Sequence, residues 1–402
     1  MRHLILFLLA LPGAHAEPWK ASAGVAVKEA YDDNVFLQDY GEQARRKSWV
    51  TSVTPSIGTT FQPSPAFKAS LSYAPEVVRY HHEPSENHVA HRWSANLGGK
   101  SEGTAWELPN SAVWIDGSRS GPTYTRSGAA AEVPALGGIP VRDRRDALIL
   151  RNGFKLTRSL GPLFIRPVFS SYAHEFRTLQ RNQTGYENYV DRYELGGGMD
   201  AGAGDKTKFF LGYRVGRQQQ SELLGAPSPY SNTYHRALAG LEGAPAGWLK
   251  LNLLAGPDFR HFNTGVPSGF HRKRTLPYYD VSVTVLPTSR DALSASSRRY
   301  AQPAFSSHSV YEDLVHEFTA KHAFGETVSA GAGFKIYAGL WLQPAQRRDW
   351  VYTSSAWLSL TPVKGVSADL SYSRDWASSA TANKDGREYK RHLVFLGLKY
   401  GI

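Results

Sequence analysis

The chain has 402 residues, a formal net charge of +11 and no cysteine, which excludes a disulfide framework and thiolate chemistry. Its basic residues are spread along the chain, so the basic stripe that nucleic-acid binding requires is missing and no nucleic-acid partner is expected. After residue 16 no run of roughly 18 apolar residues occurs, so no membrane helix is expected either.

Residues 1–16 read as a secretory signal peptide. Arg2 supplies the positive start, Leu4 to Leu11 a short apolar core, and Ala14-His15-Ala16 a small-x-small cleavage pattern. Eight apolar residues are too few to span a bilayer as a helix, which takes roughly 20. Residues 17–402 then form a single domain. A first strand is predicted over Trp19–Tyr31, with Ala21, Ala23, Val25 and Val27 on one face and Lys20, Ser22, Gly24, Ala26 and Lys28 on the other. A polar loop, 32–47, leads to a strand at Ser48–Phe61, turned by Gln62-Pro63-Ser64-Pro65. Strands follow around Phe67–Val77, Val89–Gly99, Trp106–Asp116, Leu148–Leu156, Leu163–Phe176, Tyr189–Met199 and Phe209–Val215. Ala201 to Asp205 reads as a turn. Further strands lie near Asn232–Gly243, Trp248–Phe262, Tyr279–Val285, Asp291–Tyr300, Leu314–Ala320, Val328–Ile336, Trp350–Leu360 and Val366–Tyr372. The last runs from Tyr389 to Ile402, where Val394, Leu396, Leu398, Tyr400 and Ile402 form an apolar face.

Eight short turns alternate with nine longer loops, which predicts an all-β, transmembrane antiparallel β-barrel of about 18 strands. Sixteen also fits, because the seventh and tenth strands alternate poorly. A propeller would repeat a recognisable blade of about 40–50 residues, and none is seen. Aromatic residues near strand ends, among them Trp19, Trp49, Tyr73, Trp106, Trp248, Trp350 and Tyr400, suit interfacial girdles.

The final strand resembles the terminal strand of bacterial outer-membrane β-barrels, which the barrel-assembly machinery reads as an alternating apolar segment. Those chains usually end in an aromatic residue; this one has Ile402, with Tyr400 two positions earlier. Tyr31-Asp32-Asp33-Asn34-Val35 resembles an acidic-Asn segment at the first loop of porin-2-like outer-membrane barrels. The resemblance implies location in the cell outer membrane, contact with its lipid and lipopolysaccharide, and, since several such barrels are encoded near exopolysaccharide export systems, a role in export as one alternative. Trimers are common among porins, so a homo-oligomer is a further expectation, although no interface is legible.

The oxygen-rich Asp32, Asp33 and Asn34 suggest a weak loop ion site, against which stands an Asx turn capping the strand. His81, His82, His88 and His91 cluster at one loop but lack a completing ligand, so no metal is expected. Arg142 to Asp146 could grip an anion or pair with itself. No Gly-x-Ser-x-Gly elbow or comparable constellation places a nucleophile, so no enzyme activity and no cofactor are expected. Sixteen or more strands leave an aqueous lumen, which points to passage of small polar solutes; a structural or adhesive barrel with a plugged lumen is the rival. If apolar faces look outward, Lys28, Arg92, Arg151, Lys155, Arg192, Arg214 and Lys399 line the pore and favour anionic solutes. Inward acids are fewer, among them Glu76, Glu194, Asp280, Asp313, Glu317 and Asp369. Phe210, Trp357 and Phe395 are inward aromatics of the kind that suit sugars.

Overall fold

The computed structural model describes residues 18–41, 43–119, 144–177, 190–221, 227–305, 310–343, 346–380 and 388–402. The expected leader and Arg142-Asp143 lie outside them. Eighteen antiparallel strands form one sheet, and the sheet closes because β1 (Trp19–Asp32) pairs with both β2 (Ser48–Ser64) and β18 (Tyr389–Gly401). The seam is zipped from Gly24↔Gly401 to Asp32↔Leu393, and Ala23 and Ile402 exchange both backbone hydrogen bonds at 3.2 and 2.9 Å. The expected all-β barrel is therefore observed, with eighteen strands and not sixteen. A closed sheet has no free edge, so every ladder group has a neighbouring strand to bond to.

The remaining strands follow in order: β3 (Phe67–Tyr80), β4 (His88–Ser101), β5 (Thr104–Asp116), β6 (Ala147–Leu160), β7 (Leu163–Phe176), β8 (Arg192–Gly204), β9 (Thr207–Gln220) and β10 (Asn232–Ala246). The other half comprises β11 (Leu249–Phe262), β12 (Lys273–Val285), β13 (Asp291–Pro303), β14 (Val310–Ala323), β15 (Val328–Trp341), β16 (Arg347–Val363) and β17 (Val366–Ser379). Eight connections of two to five residues lie at one end of the barrel, and nine of five to thirty lie at the other. Strands of 13–17 residues are longer than the ~5–6 usual in soluble sheets.

Two local expectations are corrected. The turn read at Ala201 to Asp205 is strand as far as Gly204, and β8 starts at Arg192 and not at Tyr189. Small residues persist in extension there because the next strand stands close: the Phe209 carbonyl oxygen and Phe210 Cβ lie where a Cβ on Gly202 would stand. The tenth strand alternates poorly by hydrophobicity, yet burial alternates strictly from Asn232 to Gly240. Its inward residues Asn232, Tyr234 and Arg236 are polar but buried, and its outward Thr233, His235, Ala237 and Ala239 are small or polar. Where the turns are tightest, glycine supplies the left-handed backbone: Gly103, Gly161 and Gly365 have φ of +67°, +66° and +84°.

The outer surface is apolar. Leu211, Leu398, Ile57 and Leu163 are each more than half exposed, and they continue around the wall through Val25, Phe209, Phe318, Leu370 and Leu396. An apolar surface of this extent needs an apolar surrounding. The conventional core sits inside, at the long-loop end. Charged residues there, among them Asp32, Arg144, Arg145, Arg260 and Arg391, are as buried as the aromatics.

Candidate functional site

The site is the lumen and its long-loop mouth. The first loop, 33–47, is polar at both ends but carries Val35-Phe36-Leu37 at its fold. These three are buried to 0%, 2% and 0% exposure. Val35 and Phe36 pack with Val78 and Tyr80 on β3 and Val50 on β2. Leu37 packs with Tyr311, Tyr337, Val351, Ala377 and Tyr389 on β14 to β18. The loop therefore crosses the mouth from one wall to the other as an apolar wedge. Leu37 holds φ of +57°, a conformation costing about 1–3 kcal/mol. Burying each apolar side chain returns about 1.5–3 kcal/mol, so the docked wedge wins.

The Asp32-Asp33-Asn34 segment is the anchor of that wedge. Arg391 donates to both Asp32 oxygens at 2.9 and 2.7 Å and lies 3.8 Å from Asp375. The Asn34 amide N–H donates to Asp32 Oδ1 at 3.0 Å, which is the Asx-type turn expected. Asn34 Nδ2 donates to the Lys390 carbonyl at 2.8 Å, and the His392 N–H to Asp33 Oδ1 at 2.6 Å. The Gln38 N–H donates to Asn34 Oδ1 at 3.0 Å. The loop ion reading is thus corrected: these oxygens are taken by protein donors along the β1–β18 seam and do not converge as ligands. Among the described residues no group of three His, Asp or Glu could hold a metal. The histidines also part company. His81 contacts Thr51 at 2.7 Å, His88 contacts the Glu86 carbonyl at 2.9 Å, and His91 stacks 5.0 Å from Trp114. Arg144 and Arg145 pair with Glu86 of the β3–β4 connection at 3.2 and 2.9 Å.

Alternation places all seven candidate pore residues on the lumen face, opposite the exposed apolar side chains of their strands. They differ in charge balance. Arg92 is paired with Glu76 at 2.9 Å and Arg214 with Asp200 at 2.6 Å. Lys28, Arg151, Lys155, Arg192 and Lys399 have no carboxylate within 4.0 Å among the described residues. Arg151 and Arg192 flank one ring, lying 5.3 and 5.0 Å from Tyr172, and Arg192 also covers Phe305 at 4.1 Å. Arg192 Nη1 is buried without a hydrogen-bond partner. Of the basic wall expected from Arg151, Lys155, Arg192 and Arg214, Arg214 is paired with an acid.

Sequence reasoning missed a second cluster. Arg236 and Arg260 share Asp258 at 3.1 and 2.8 Å. Arg260 donates to Gln218 Oε1 at 2.6 Å, Gln218 donates to the Tyr300 hydroxyl at 2.6 Å, and Tyr300 donates to Glu194. This network ties β8 and β9 to β13 across the lumen, so that lobe is filled. Regular polar spacing in Tyr234-Arg236 and Asp258-Arg260 was the available signal. A cavity of about 620 Å³ is lined by Lys28, Glu76, Arg92, Lys335, Trp357 and Phe395 among others, and a smaller one of about 270 Å³ borders the network at Tyr172, Arg192, Glu194 and Tyr300.

No family model matches the sequence, and no curated relative does. Among solved structures, Pseudomonas aeruginosa OccK2 (OpdF) superposes with a TM-score of 0.49 at 7% identity, over 95% of this chain and 98% of that one. Pseudomonas aeruginosa OpdK with vanillate gives 0.48 at 9% identity, over 95% and 98%. An anion-selective porin from Comamonas acidovorans gives 0.43 at 10% identity, over 96% and 99%. OpdK is described as an outer membrane protein. Likeness at this level carries no argument about what this chain does.

Proposed function

We propose that the chain is an outer-membrane porin-like channel for small polar solutes, with a preference for anions. One observation carries the reading: a closed eighteen-stranded wall, apolar outside, encloses charged side chains of which five candidate cations have no carboxylate within 4.0 Å among the described residues. Low-dielectric walls of one sign concentrate ions of the other. The leader at residues 1–16 would deliver the chain across the inner membrane, and the long-loop end would face outward. Narrowing by Val35-Phe36-Leu37 favours a second reading, a barrel closed at rest and opened by movement of the first loop. Planar-bilayer recording under a salt gradient tests the channel. Discrete steps with an anion-directed reversal potential support it; cation selectivity removes the anion preference, and no conductance under any loop variant removes the channel.

A further inference from the structure

Several aromatic side chains lie against the wall over glycines, Trp357, Phe395 and Phe210 among them. The Trp357 indole lies where a Cβ on Gly331 would stand, and the Phe395 ring lies along its own strand with Cζ 3.1 Å from a Cβ built on Gly397. Phe210 lies over Gly240 in the same way, but Arg166 covers it at 4.5 Å and it is 3% exposed. Trp357 and Phe395 are only partly buried and both line the 620 Å³ cavity. Strand register puts them in one row: Trp357 faces Ser371, and Ser371 faces Phe395. Two strand spacings, about 9.6 Å at the usual inter-strand distance, separate their backbone positions, and the indole leans one strand further away onto Gly331 of β15. Serines 355, 371 and 373 border them, Lys28 Nζ sits 5.7 Å from the Phe395 centroid, and Lys335 lines the same cavity. Neither lysine has a carboxylate within 4.0 Å among the described residues.

We propose that this wall is a binding site for a short acidic saccharide, which deepens the solute-channel reading and rests on it. A ring lying against a glycine turns its whole π face to the lumen, and that face accepts the C–H face of a pyranose. Rings this far apart hold two units of a short oligosaccharide that are not adjacent, because successive pyranoses stand closer together than two strand spacings. The serine hydroxyls bond sugar hydroxyls, and Lys28 and Lys335 receive a carboxylate. The glycines are part of the site, because any Cβ at 331 lifts the indole off the wall.

Calorimetric titration of the full barrel in detergent, with tetragalacturonate and with maltotetraose as the neutral probe, tests the site. Tetragalacturonate should bind and maltotetraose should bind more weakly. Trp357→Ala and Phe395→Ala should each weaken tetragalacturonate about tenfold, the scale on which one stacked ring is lost. Gly331→Ala retains the indole and should weaken binding as Trp357→Ala does, while Lys28→Met should erase the preference for the acidic sugar. Phe210→Leu should change nothing, and heat-modifiable migration confirms that each variant is folded. No binding to the parent barrel, or binding indifferent to Trp357→Ala and Gly331→Ala, would overturn the site. Bilayer conductance reads the channel separately: a conducting barrel that binds neither sugar loses only the site, and a binding barrel that never conducts loses only the channel.

Discussion

Individual side chains in the lumen fall into those held by partners and those left to meet a solute. Arg391 belongs to the first kind. It is 2% exposed and clamps Asp32, with Asp375 close by. Arg391→Met would leave two buried carboxylates without their cation, which costs about 3–5 kcal/mol for a broken buried pair. Denaturant titration of the detergent-solubilised barrel should show that loss, and a midpoint equal to the parent's would contradict the clamp. Asp32→Asn keeps the side-chain acceptor for the Asn34 N–H and should cost less. Arg151 and Arg192 belong to the second kind. Replacing both with alanine should lower the anion-over-cation permeability ratio by about twofold or more, because one-signed clefts shift local ion concentration by about tenfold or more. Arg214→Ala is the internal control. Its charge is already met by Asp200, so its reversal potential should move less.

At the scale of elements, the first loop decides how much lumen remains. Phe36→Ser with Leu37→Ser removes most of the apolar surface that docks the wedge, about 1.5–3 kcal/mol for each side chain. Single-channel conductance should rise, and loop proteolysis should become faster; unchanged values in both would mean that the wedge closes nothing. This element also marks the boundary of what the sequence discloses. Strand number, strand faces and the two classes of connection are legible because side-chain direction alternates with period two. The inward position of Lys28 or Arg151 follows from that parity alone. The docking of Val35-Phe36-Leu37 does not, since its partners Tyr80, Tyr337 and Tyr389 lie on three other strands brought near only by closure. Asp32, Asp33 and Asn34 read as ligands for the same reason: their partners Arg391, His392 and Lys390 are some 350 residues away. The β9–β13 lobe is hidden likewise, because Gln218 and Tyr300 meet across the lumen and not along it.

At the scale of the whole molecule, closure of β1 on β18 sets an apolar wall outside and a polar lumen inside. The apolar exterior makes the barrel dependent on lipid or detergent, and the closed ladder makes it resist heat within them. Unboiled protein should therefore migrate faster than boiled protein on a denaturing gel and show a β-type circular dichroism spectrum in detergent. A protein soluble and monomeric without detergent would contradict the apolar wall. Inside, a cavity of about 620 Å³ lies beside β1 to β4 and β14 to β18, and a smaller one of about 270 Å³ is bordered by Tyr172, Arg192, Glu194 and Tyr300 on β7, β8 and β13. The most direct measurement is single-channel recording of the parent barrel beside a variant whose residues 35–46 are replaced by a short Gly-Ser linker. The account predicts small, anion-selective steps for the parent and larger steps, still anion-selective, for the variant. Absence of channel activity from both, with folding confirmed by heat-modifiable migration, would contradict it.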